Sequence, residues 1–156
     1  MKVLTVHQPW ATLIACGAKR YETRSWAPSA KALPTGSLLA IHASQQEDTK
    51  GFDAMGRAAE AEASRLFDER GIDLGTPLPR GKVLCVCRVV GFFPTAPLGG
   101  LYVIPNTDAV SYPAYPETEL GDFSPGRYAW ELEVVEVLDP PIPARGRQGL
   151  WEWERP

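Results

Sequence analysis

Apolar positions set the order of elements along the chain. Val3 to Val6 is a short run rich in β-branched residues, which suits a buried strand, and Pro9 follows where proline favours the first turn of a helix. From Trp10 the apolar residues Trp10, Leu13, Ile14 and Ala18 fall on one face of a 3.6-residue period, and Gly17 supplies the stop. This predicts a short helix about half buried. Lys19 to Trp26 then alternates as a strand, with Arg20, Glu22, Arg24 and Trp26 on one face and Lys19, Tyr21, Thr23 and Ser25 on the other.

Ala27 to Gly36 is turn material, and Ser37 to Ala43 reads as a buried strand with His42 and Ser44 emerging together at its end. Phe52, Met55, Ala59, Ala63, Leu66 and Phe67 form one apolar helix face running to a stop at Gly71, so Phe52 to Arg70 is expected as a covering helix with a solvated charged side. Lys82 to Phe93 is the most strand-like run, suited to the inner wall of a barrel, with Gly91 marking a bulge. Pro94 to Gly126 is too long and irregular for an ordinary connector, and its aromatics Tyr102, Tyr112, Tyr115 and Phe123 favour an ordered flap over a cleft. Arg127 to Leu138 alternates as a long strand that Pro140, Pro141 and Pro143 are expected to end. A tight turn carrying Arg145, Arg147 and Gln148 follows, before Leu150, Trp151 and Trp153 return to the core.

Several short strands, two or three helices and glycine or proline punctuation predict an α+β fold, a small mixed β-barrel decorated by helices, in one domain spanning 1–156. At 156 residues the chain is long enough for a core without staples. It has no apolar run of membrane-spanning length and no signal-like start, so a cytoplasmic protein with no membrane partner is expected. Cys16, Cys85 and Cys87 lack a metal-site spacing and read as small core residues; with His7 and His42 as the only histidines, neither a metal nor another cofactor is expected.

The net charge of -3 hides an asymmetry. Residues 1–42 carry Lys2, Lys19, Arg20, Arg24 and Lys31 against Glu22 alone, an excess of +4 that leaves -7 for the remainder. A local basic face on an acidic body is compatible with phosphate binding and excludes a uniformly basic nucleic-acid coat. In the second strand Glu22 sits between Arg20 and Arg24. The plain reading is a solvated edge-strand ion pair worth about 0 to 1 kcal/mol.

The stretch His7-Gln8-Pro9-Trp10 through Gly17, Lys19 and Glu22-Thr23-Arg24-Ser25-Trp26 resembles the opening motif of the ASCH family, a branch of the PUA-like superfamily. Leu39 to Ser44 and Gly146 to Trp151 resemble that family's second and last blocks, in the same order, while about Gln45 to Arg80 is not covered. Thr23 stands where the family often has Asn. The resemblance implies a PUA-like β-barrel with a basic cleft beside the first helix, and single-stranded RNA or a nucleotide as partner. It places Gln8, Lys19, Glu22, Arg24 and Trp26, then His42 and Ser44, then Arg145 and Gln148 around that cleft. In a binding module Gln8, Arg24, Trp26, Ser44, Arg145 and Gln148 hold RNA, with Trp26 stacking on a base. In a metal-independent ribonuclease Glu22 or His42 takes the ribose 2′-OH proton and Lys19 with Arg24 offsets charge at phosphorus. A bacterial branch of the family resembles an amidohydrolase of N4-acylated cytidine. Lys19 matches its lysine, but Glu22 holds the position of its threonine nucleophile. A protein-interaction adaptor without chemistry is the remaining reading, and oligomeric state is not legible.

Overall fold

The computed structural model describes residues 1–46, 55–97, 100–102 and 110–156. Its elements are β1 (Lys2–Val6), α1 (Trp10–Ala15), β2 (Tyr21–Arg24), β3 (Leu38–Ala43), α2 (Arg57–Glu69), β4 (Lys82–Pro94), β5 (Leu101–Tyr102), β6 (Val110–Ser111), α3 (Glu117–Leu120), β7 (Tyr128–Pro143) and β8 (Leu150–Glu152). Six strands form a half-barrel sheet in the order β2-β7-β4-β3-β1-β8, and β5 pairs with β6 separately. Only β1 and β3 run parallel, because α1 and β2 lie between them in the chain. The fold is therefore α+β and PUA-like, as expected.

The concave face of the sheet closes over α1. Leu4, Val6, Ile41, Cys85, Val89, Trp130 and Leu132 pack against Ala11 and Ile14 of that helix. Trp130 is fully buried, with the Trp26 and Phe92 rings edge-on to it at 4.9 Å and 5.2 Å, a geometry that adds about 0.5 to 1.5 kcal/mol per pair beyond area burial. The other side of α1 is also covered. Leu13 and Ala18 meet Ala63, Leu66 and Phe67 of α2 together with Leu120 of α3. Residues Ala11 to Ala15 are consequently all buried, and the expected half-exposed helix is instead a sandwiched one. The apolar face predicted for the second helix is the one that covers it, although the helix start at Phe52 lies outside the described residues.

The longest strands depart from their predicted ends for identifiable reasons. Gly91 does sit at a register shift in β4, where a Cβ would come within 2.8 Å of the Phe93 ring. In β7, however, the strand runs on through Pro140, Pro141 and Pro143. Pro140 and Pro141 fall in the irregular stretch between the Val83–Ile142 and Cys85–Val137 pairs. On the opposite margin β2 pairs only as far as Glu131, so prolines interrupt few ladder bonds there. Trp151 and Trp153 pack with Val3, Ala40, Val83 and Leu138 on the second face of the sheet, in the core as predicted. No helix among the described residues is long and apolar enough to cross a membrane.

Candidate functional site

Where β1 leaves the sheet, Val6 and His7 border an open cleft of about 360 Å³, within the range of small-molecule sites. Trp10 of α1 and Glu22, Thr23 and Arg24 of β2 form one side, with Lys19 behind them. The opposite wall is Glu119, Leu120, Gly121 and Asp122, supplied by the segment expected to act as a flap. That wall is tied down. Trp10 Nε1 donates to the Leu120 carbonyl at 3.0 Å, and the Asp122 amide donates to Thr23 Oγ1 at 3.3 Å. Arg127, at the foot of β7, donates through Nη2 to the Thr23 carbonyl and through Nε to the Asp122 carbonyl, each at 3.1 Å, and so fastens the wall to β2.

Lys19 is the buried base of this arrangement. It lies just before β2, where strand alternation does not apply, and so joins Glu22 in the cleft despite an expected place on the opposite face. Its ammonium donates to the Tyr21 carbonyl and stands 3.9 Å from Glu117 Oε2. Burial pushes its pKa down, and the carboxylates of Glu22 and Glu117 oppose that shift. Burial pushes Glu117 up, against the opposing charge of Lys19 and the amides of Arg20 and Tyr21 that donate to its carboxylate. Glu117 is held at the start of α3 and reaches across to cap the beginning of β2.

Glu22 and Arg24 pair within β2 at 2.9 Å between Oε1 and Nε, although the Nε–H finds no aligned acceptor. Arg24 also donates through Nη2 to the Thr5 carbonyl at 2.8 Å. Arg20, expected as the second guanidinium beside Glu22, turns instead to Glu131 at 2.5 Å on the neighbouring strand. Facing β2, Asp122 accepts from the Ser124 amide at 3.0 Å and lies 3.3 Å from Arg127 Nε; these contacts lower its pKa, the Ser124 side chain foremost. The cleft thus sets three cations, Lys19, Arg24 and Arg127, against three carboxylates, Glu22, Glu119 and Asp122. The positive excess of residues 1–42 is not expressed there as net charge, because the later wall brings its own acids.

Of the nine residues expected around the cleft, Lys19, Glu22 and Arg24 line it. Gln8 is buried in the chain's own support: its amide nitrogen donates to the Pro79 carbonyl at 2.7 Å and its oxygen accepts from the Thr12 amide at 3.1 Å. Trp26 lies against Trp130 in the core, and its carbonyl accepts the Trp130 Nε1 bond, so its ring is spent on packing. Ser44 is buried and accepts from the Gln46 amide at 3.2 Å. His42 is fully buried on the second face of the sheet, with Nε2 3.0 Å from the Ala144 carbonyl and its ring edge-on to Trp151 at 5.6 Å. It cannot reach a ligand in the cleft. Arg145 and Gln148 are exposed on the turn between β7 and β8, outside the cleft lining. Trp10, Glu117, Asp122 and Arg127 belong to the site or its support and were not singled out in the sequence. The signal available was the strand register, which seats Tyr128 opposite Arg24 and so brings Arg127 to the end of β2.

Among the described residues no group of three or more His, Cys, Asp or Glu is placed to hold a metal ion. Cys85 and Cys87 are buried free thiols with sulfurs 3.8 Å apart, and Cys16 is half-buried.

A half-barrel sheet wrapped on a short helix, with a charge-paired cleft where the first strand ends, defines a PUA-like α+β domain. The chain belongs to the ASCH domain family, whose model matches residues 4–148. No curated protein matches the chain. Membership of the family points to RNA as the class of ligand.

Proposed function

We propose that the cleft receives one nucleotide unit of single-stranded RNA, with the base inside and the sugar-phosphate toward the rim. The observation that carries this reading is the paired lining. Carboxylates that accept and guanidinium groups that donate, held in fixed directions by backbone bonds, match the mixed donor and acceptor edges of a base better than they match a bare polyanion. Trp10 adds an aromatic wall, and the volume suits a heterocycle with its sugar. Titration with the four ribonucleoside 5′-monophosphates is expected to show saturable binding that Arg127→Ala weakens; no saturable binding to any of them overturns the reading.

A metal-independent ribonuclease is the second reading, favoured by one observation. A fully buried lysine whose pKa is pushed down lies in a cleft beside a carboxylate, a combination found at catalytic sites. Glu22 would take the 2′-OH proton while the 2′-oxygen attacks phosphorus. The bond from phosphorus to the 5′-oxygen would break, and that oxygen would take a proton from water, with Arg24 offsetting charge on the phosphoryl oxygens. His42 has no part in this. Hydrolysis of an N4-acylated cytidine lacks its hydroxyl nucleophile, since Glu22 stands in that position, ion-paired with Arg24. Glu22→Gln is expected to keep RNA binding and to reduce cleavage by about 10² to 10⁴ fold. Cleavage unchanged in that variant removes Glu22 from the chemistry, and absence of cleavage in the wild type leaves binding alone.

A further inference from the structure

The cleft balances its own charges, yet the turn beside it does not. Arg145 and Arg147 are exposed between β7 and β8, and no ion pair or hydrogen bond engages either guanidinium. The turn is fixed to the sheet at one point: Gly146 lies so close to β1 and β3 that a Cβ there would fall 2.4 Å from His42 Cε1 and 3.3 Å from Thr5 Oγ1. Its distance from the cleft follows from the backbone. The last pair of β1 with β8 is Leu4 with Leu150, so the same register carried further brings Gly149 and Gln148 level with Thr5 and Val6. The Val6 carbonyl faces β3, where it accepts from the Ser44 amide, so the Thr5 carbonyl faces the β8 side. Arg24 takes that carbonyl at 2.8 Å. The cleft guanidinium and the two exposed arginines therefore flank the same stretch of β1.

We infer that the Arg145–Arg147 turn is a second subsite, which holds the phosphates of an RNA strand as it leaves the cleft past Arg24. This inference rests on the cleft as a nucleotide site and adds what a mononucleotide cannot use. Base and sugar meet the charge-paired lining. The neighbouring phosphates meet the two cations that have no carboxylate to offset them. The ligand is then an oligonucleotide, and salt dependence resides in the turn rather than in the cleft.

The test uses a 5′-fluorescein single-stranded RNA hexanucleotide, with nucleoside monophosphates and hexaglutamate as competitors, across a range of salt. The hexanucleotide is expected to bind more tightly than any monophosphate at low salt. Arg145→Ala with Arg147→Ala is expected to remove that advantage and to flatten the logarithmic salt slope by about 1.4, or about 0.7 for each phosphate released, while monophosphate affinity stays as in the wild type. Both side chains are exposed, and circular dichroism checks that the fold persists. A hexanucleotide that binds the double variant with unchanged affinity and slope overturns the subsite, as does a wild type that gains nothing from length; the cleft reading survives either result. Equal displacement by hexaglutamate overturns the assignment to an RNA strand. Failure of every monophosphate and of the hexanucleotide to bind overturns the cleft reading and the subsite together.

Discussion

Two ionisable side chains are buried in this protein, Lys19 under the cleft and His42 on the far face of the sheet, and their surroundings differ in kind. Lys19 is met by a carbonyl and two carboxylates and borders open space. His42 has one carbonyl, an indole edge and the Gly146 backbone around it, and no path to solvent. Both shift in the same direction, since burial pushes each pKa down. Burial therefore does not distinguish a site from a support. Charged partners and an opening do.

The comparison is broken most severely at Lys19. Lys19→Met keeps the volume but leaves Glu117 buried without its cation, and is expected to cost about 3 to 5 kcal/mol of unfolding free energy in urea. Lys19→Met combined with Glu117→Gln should recover part of that loss, and a single variant as stable as the wild type would show that the pair is not held in a dry environment. At His42 the expected effects are steric. Gly146→Ala drives a methyl group into the imidazole and is expected to cost about 1 to 3 kcal/mol, with no change in ligand affinity at the cleft beyond that of the turn. A stability equal to the wild type would mean that the turn is not packed on the ring.

The smallest effect sharpens the contrast by titration. The folded His42 pKa lies below the ordinary 6.5, so the unfolded chain binds the proton first as pH falls. Stability is full above the unfolded value, declines as pH drops through it, and levels off once the folded pKa is passed. His42→Gln keeps a donor for the Ala144 carbonyl and removes the titration. The melting temperature of the wild type is expected to fall more than that of His42→Gln between about pH 7.5 and about pH 5.5. Parallel curves would show that His42 is solvated.

The elements governed by local pattern were legible in the sequence: β1, α1, β3, the bulge at Gly91 and the covering helix all follow from periodicity and punctuation. What was hidden depends on contacts distant in the chain. Nothing near Pro140 tells a reader that β2 is only four residues long, and that shortness is why β7 can run through its prolines. Within the site, Lys19, Glu22 and Arg24 were legible because one short block carries them. Glu117, Asp122 and Arg127 were not, because they reach the cleft only when α3 folds back on β2. His42 was misplaced for a related reason. Position at a strand end does not reveal that a glycine turn more than 100 residues later closes over it.

The bond from Glu117 to the start of β2 also bears on how copies of this chain behave toward one another. An outermost strand with free amides is a template for a neighbour's backbone, and crowded proteins stick together along such margins. Here the outermost strand has four residues, and a side chain from α3 already occupies the amides of Tyr21 and of Arg20 just before it. At the opposite border β8 offers three residues, and the uncovered length of β7 carries prolines. The carboxylate that steadies Lys19 thus also seals a seam, and Glu117→Ala exposes that seam to self-association as well as unsettling the cleft.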